Sequence, residues 1–142
     1  MSESAIYEVQ FSIEGGDFSK AGSVSSNVKR ILKEIGIPSE KIKRVVVISY
    51  EAEINVVSYA YRGTMRLSVS PEVIKMVIDD EGPGIEDIQL AMQEGYSTAT
   101  EKIREMGFGA GMGLPNIKKN SDKLDILSVV GQGTKVSVEV YL

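Results

Sequence analysis

Between Ile6 and Ile13 apolar and polar side chains alternate, and the run stops at Gly15-Gly16, which predicts a half-buried strand closed by a turn. From Phe18 to Ile35 the spacing changes. Ala21, Val24, Val28, Ile31, Leu32 and Ile35 recur three and four apart, with Gly36 and Pro38 as a stop, so this segment predicts a first helix. The stretch from Ser39 to Tyr61 contains Val45-Val46-Val47-Ile48, a β-branched run that by propensity alone suits a strand equally well. Helix is favoured because Ser39 can cap it, no breaker intervenes before Gly63, and Ile42, Val45, Ser49, Ala52, Val56 and Ala60 fall on one face.

Met65 to Val69 and Val73 to Asp79 flank Pro71 as the two arms of a hairpin. Ile85 to Glu94 predicts a short helix opened by Gly84, and Leu114 to Asn120 another, with Pro115 tolerated in its first turn. Between them Gly95 to Met112 is rich in Gly, Ser and Thr. Leu124 to Val130 and Thr134 to Leu142 read as strands separated by Gly131-Gln132-Gly133. The order βααββααββ predicts an α+β fold, a two-layer α/β sandwich with helices on one face of a mainly antiparallel sheet. With 142 residues and neither repeat nor linker, residues 1–142 are expected to form one domain.

Composition narrows the chemistry. A hydrophobic fraction of 42% with 25% charged residues supports a folded core rather than a disordered chain. A net charge of -4 does not attract phosphate backbones or anionic lipid, so neither nucleic acid nor a membrane is the expected partner. There is no Cys and no His, which excludes thiolate and imidazole metal sites, a Cys nucleophile, a Ser-His-Asp triad and a phosphoryl-accepting histidine. The start MSESAIYEVQFSIEGG lacks a basic segment followed by an apolar one, and no apolar stretch is long enough to span a bilayer. A cytoplasmic protein is expected.

Seven of the 14 glycines lie between Gly82 and Gly113. Bare backbone lets amides approach a ligand closely, and amides at a helix start stabilise phosphate charge. The run Gly107-Phe108-Gly109-Ala110-Gly111-Met112-Gly113-Leu114 therefore reads either as a phosphate cradle or as a flexible hinge; no Gly-Lys-Ser/Thr follows, so it is not a P-loop. Ile78-Asp79-Asp80-Glu81-Gly82-Pro83-Gly84-Ile85 puts carboxylates at the end of an apolar strand, where one could accept from an exocyclic amine or simply form an acidic turn. Glu51 and Asn55, four apart on the second helix, share a face. Alone they are a polar pair. Beside a phosphate loop they supply an amide oxygen for Mg²⁺ and a carboxylate for a proton, the parts phosphoryl transfer needs.

Glu51-x-x-x-Asn55, Asp80-x-Gly82-x-Gly84, Gly109-x-Gly111-x-Gly113 and Gly131-x-Gly133-Thr134 resemble, in order, the N, G1, G2 and G3 boxes of the GHKL ATPase/kinase superfamily. Within it the chain is most similar to bacterial anti-sigma-factor serine/threonine kinases and stress-response switch kinases, the latter through Glu94 to Thr98 and Gly113 to Lys118. The resemblance implies the Bergerat ATP-binding fold and ATP with Mg²⁺ as cofactors. It implies that Asp80 binds the adenine amino group with Thr134 assisting through water, that Asn55 coordinates Mg²⁺, and that Glu51 is the general base. Gly82, Gly84, Gly109, Gly111 and Gly113 would line the nucleotide, and Gly95 to Phe108 would form a lid carrying Lys102 and Arg104. Many anti-sigma kinases have His four residues after the motif Asn, where this chain has Tyr59, and Ala99 to Met106 resembles an insertion.

Beside a simple ATPase, which needs an ordered water where an acceptor hydroxyl would otherwise sit, two functions compete. One is a Mg²⁺-ATP-dependent protein kinase acting on Ser or Thr of a small antagonist-type partner protein. The other is a regulator whose ATP occupancy governs capture of a sigma factor or another partner without obligatory transfer. The resemblance leaves a homodimer open.

Overall fold

Among the described residues five strands pair into one antiparallel sheet in the order β1-β2-β3-β5-β4, from β1 (Tyr7–Glu14), β2 (Arg62–Val69), β3 (Val73–Glu81), β4 (Lys123–Val129) and β5 (Gly133–Tyr141). The computed structural model describes residues 7–93 and 113–142. Alternation decides which side of the sheet is covered. Met65, Leu67 and Val69 of β2, Ile74, Met76 and Ile78 of β3, and Val136, Val138 and Val140 of β5 are buried on one face, while Arg66, Lys75 and Lys135 are exposed on the other.

The helices lie on the apolar face. A single 3-10 turn (Phe18–Lys20) precedes α1 (Ser23–Ile35), then come α2 (Ser39–Tyr59), the one-turn α3 (Ile88–Ala91) and α4 (Gly113–Asn120). In α2 the β-branched run is helical because Val45, Ile48, Ala52 and Val56, three and four apart, close the core together with Val28 and Leu32 of α1. Burial of one stripe outweighs the small propensity cost. The expected α+β sandwich with helices on one face is thus the observed fold.

Three local expectations need correction. The segment Phe18 to Ile35 is not one helix: Gly22, at φ 95°, interrupts it, and α1 starts only at Ser23. Ser39 is not a cap but the first residue of α2; Pro38 holds the capping position in extended geometry, with no side-chain cap. The helix predicted from Ile85 is shorter and starts later, at Ile88, because the Asp87 side chain accepts the Leu90 N–H at 3.0 Å. The Gly95 to Phe108 segment, with Lys102 and Arg104, lies outside the described residues, as do Gly109 and Gly111.

Candidate functional site

The sheet brings one carboxylate and two hydroxyls to the helix-covered side of three neighbouring strands. Asp80 follows Ile78 on the inward phase of β3, Thr134 precedes Val136 on β5, and Ser128 follows Ile126 on β4, paired in register with Thr134. Oδ1 of Asp80 accepts the backbone N–H of Thr134 at 3.1 Å. The Thr134 hydroxyl turns the other way and lies 2.8 Å from Ser128 Oγ. Burial pushes the Asp80 carboxyl above the usual carboxylate range; the Thr134 N–H pulls it back in part, and the nearby Asp79 charge adds to the rise.

The turn after β3 is strapped to the β4–β5 turn. Gly82 N–H donates to Gln132 O at 3.0 Å, Gly131 N–H to Pro83 O at 2.8 Å, and Ile85 N–H to Ser128 Oγ at 2.7 Å. Gly84, at φ 77°, passes so close to β4 that a Cβ there would lie 2.6 Å from Val129 O, so only glycine fits. These bonds fix the backbone on either side of the Asp80 carboxylate.

A second cluster forms where α4 lies along α2. The Asn116 side chain donates through Nδ2 to Glu51 Oε2 at 2.6 Å. A Cβ on Gly113 would sit 3.0 Å from Asn55 Oδ1 and 3.2 Å from its Nδ2, so the bare Cα of Gly113 abuts the Asn55 amide. Further along, Arg44 donates through Nε to Asn120 O at 3.0 Å and pairs through Nη2 with Asp122 Oδ1 at 3.2 Å. Residues 113, 116 and 120 thus meet 55, 51 and 44, so α4 runs antiparallel to α2. The Tyr141 N–H, then Arg44, hold the Asp122 carboxyl below the usual range.

The clusters share one end of the sheet. Gly63 pairs with Asp80 in register, and a Cβ on Gly63 would lie 3.0 Å from Cγ1 of Val56, the residue after Asn55. Among the described residues no group of three or more His, Asp or Glu side chains is arranged to hold a metal ion.

Of the residues singled out in the sequence, Asp80 and Thr134 are in direct contact, Gly82 and Gly84 form the adjoining turn, and Asn55 meets Gly113. Glu51 shares their helix seam. Sequence reasoning missed Ser128 and Asn116. Ser128 was detectable as the polar residue on the inward phase of β4 after Leu124 and Ile126; Asn116, three residues after Gly113, shares its helix face. A further carboxylate, itself buried, serves the scaffold: Glu53 accepts the N–H groups of Val24 and Ser25, both at 3.3 Å, at the start of α1. Burial raises its pKa against the pull of those amides.

The profile of the histidine kinase-like ATPase domain matches residues 18–140, so the chain belongs to that family, in the GHKL class that its four boxes resemble. Its similarities extend to regulatory proteins of bacteria. It is 29% identical over 118 residues to the serine/threonine-protein kinase RsbT of Bacillus subtilis (strain 168), spanning 80% of this chain and 83% of that protein. It is 33% identical over 104 residues to an anti-sigma F factor of Thermoanaerobacter sp. (strain X514), spanning 73% of this chain and 65% of that protein. Among the described residues no helix is long and apolar enough to cross a membrane.

Proposed function

We propose that the chain is a cytoplasmic Mg²⁺-ATP-dependent serine/threonine-protein kinase whose substrate is a small antagonist-type protein in a sigma-factor circuit. The observation that carries this is the α2–α4 seam, where a carboxylate and an amide one helical turn apart stand beside the start of a glycine-led helix. Two features fit a nucleotide. Asp80 gives one oxygen to Thr134 and would offer the other to the adenine amine, and Gly113 sets a bare Cα against the Asn55 amide.

ATP would supply the transferable phosphoryl group, with Mg²⁺ neutralising its charge. Asn55 Oδ1 would hold the cation, and Gly82, Gly84, Gly109, Gly111 and Gly113 would let backbone approach the nucleotide. Thr134 would orient the Asp80 carboxylate. Glu51 would orient the acceptor hydroxyl and take its proton, while phosphoryl transfer itself draws mainly on positioning. The name of the anti-sigma F factor relative favours a second reading, an ATP-gated regulator that sequesters a sigma factor without obligatory transfer.

The test incubates the purified protein with labelled ATP and an extract of its own cells and identifies the protein that becomes labelled. Glu51→Gln should lower labelling about 10²–10⁴-fold with little change in ATP affinity. Labelling at the wild-type rate by Glu51→Gln would refute the kinase mechanism. ATP-dependent complex formation by both forms, without transfer by either, would establish the regulator.

A further inference from the structure

The proposed base is not held by its own helix alone. Glu51 and Asn55 project from one face of α2, and Gly113 and Asn116 from one face of α4, so the same two helix faces meet at both functional positions. At Asn55 the contact is steric, a bare Cα against an amide. At Glu51 it is a short hydrogen bond of 2.6 Å, part-buried, from the Asn116 amide to one carboxylate oxygen. The orientation of the amide is fixed by chemistry, because an ionised carboxylate only accepts and the Asn116 nitrogen must therefore face it.

We infer that Asn116 is a positioning residue for Glu51. It fixes the carboxylate through Oε2 and so presents Oε1 to the acceptor hydroxyl in one direction. A glutamate on an exposed helix face samples several rotamers, and each unproductive one places the accepting oxygen outside hydrogen-bond reach of the hydroxyl. A charge-assisted hydrogen bond to one oxygen removes most of that freedom before the substrate arrives. Asn116 is itself anchored, because the far end of α4 is held by Arg44 at Asn120 O, and the Asn120 side chain donates back to Asn116 O at 2.8 Å. The direction of the base is thus set by how α4 is seated along α2.

This inference rests on the kinase reading, and a double-mutant cycle separates the two. Wild type, Asn116→Ala, Glu51→Gln and the double variant are compared for labelling of the extract protein that wild type phosphorylates and for the KM of ATP. Alanine favours helix over asparagine, so Asn116→Ala retains α4. Its labelling rate should fall about 10–100-fold, the usual cost of losing a partner that orients a functional ligand, with the KM of ATP unchanged. In the Glu51→Gln background Asn116→Ala should have no further effect. Independently of activity, the Asn116 side-chain amide resonances should shift in Glu51→Gln. Full-rate labelling by Asn116→Ala, equal losses in both backgrounds, or amide resonances that do not move would each overturn the positioning role alone. Wild-type rates from Glu51→Gln, or no labelling by the wild-type protein, would remove the kinase reading and the inference with it.

Discussion

Thr134 donates its backbone N–H to Oδ1 of Asp80 at 3.1 Å, while its hydroxyl engages Ser128. One oxygen of a half-buried carboxylate is therefore satisfied by the sheet. Burial nevertheless raises the Asp80 pKa. The folded protein holds this proton more tightly than the unfolded chain, so stability falls as pH rises from the ordinary value of 3.8 through the raised one.

Asp80→Asn should consequently melt higher than wild type at neutral pH without nucleotide. The gap should close as pH falls through the raised value towards 3.8, because Asp80 is then protonated in both states. The amide still accepts from Thr134, but its nitrogen faces the adenine amine donor to donor. ATP affinity should fall about ten- to a hundredfold, the loss of a hydrogen bond to a charged group. Melting curves over a pH series and titration calorimetry read the two effects separately.

Gly113→Ala tests the steric contact with Asn55. The new Cβ, 3.0 Å from Oδ1, forces the amide aside, while alanine favours the helix it joins. Melting should change little. Mg²⁺-dependent ATP affinity should fall about tenfold, the equivalent of one displaced ligand contact. Unchanged calorimetry with and without Mg²⁺ would count against a role for Asn55 at the cation.

Glu53, 1% exposed, carries no proposed chemistry but holds the first turn of α1. Glu53→Ala leaves the Val24 and Ser25 N–H groups without their buried acceptor and should cost about 2–4 kcal/mol in denaturant unfolding. Glu53→Gln keeps one acceptor and should cost less. Because folding raises the Glu53 pKa, wild-type stability falls as pH rises from 4.5 through the raised value, and Glu53→Gln should lose that component of the slope.

Ser128→Ala removes the acceptor of the Ile85 N–H and the partner of the Thr134 hydroxyl. It should destabilise by about 1–2 kcal/mol, read by chemical denaturation. ATP affinity should fall less than in Asp80→Asn, since the Thr134 N–H still fixes the carboxylate.

Much of this fold is written in local periodicity. Strands β2 and β3 follow from their alternation around Pro71, and α2 from the single face shared by Val45, Ala52 and Val56. The break in the first helix is different. Apolar spacing continues from Ala21 to Val24 across Gly22, and the carboxylate that receives α1's first amides comes from Glu53, on another helix. The site divides in the same way. Its glycines and acids stand in ordered boxes, whereas Asn116 and Ser128 gain meaning only through contacts 65 and 43 residues away in the chain.

Glu53 lies two residues from both Glu51 and Asn55, and at 3.6 residues per turn it points to the opposite side of α2. The helix is therefore keyed on both flanks, by α1 through Glu53 and by α4 through Glu51 and Asn55. Such a shaft cannot spin. A residue inserted between Ile48 and Glu51 would turn the downstream half by about 100°, so that no single rotation could seat Val45 and both keys together. A residue added in a connection such as Gly36 to Pro38 would instead change the path between helices without altering the phase of either.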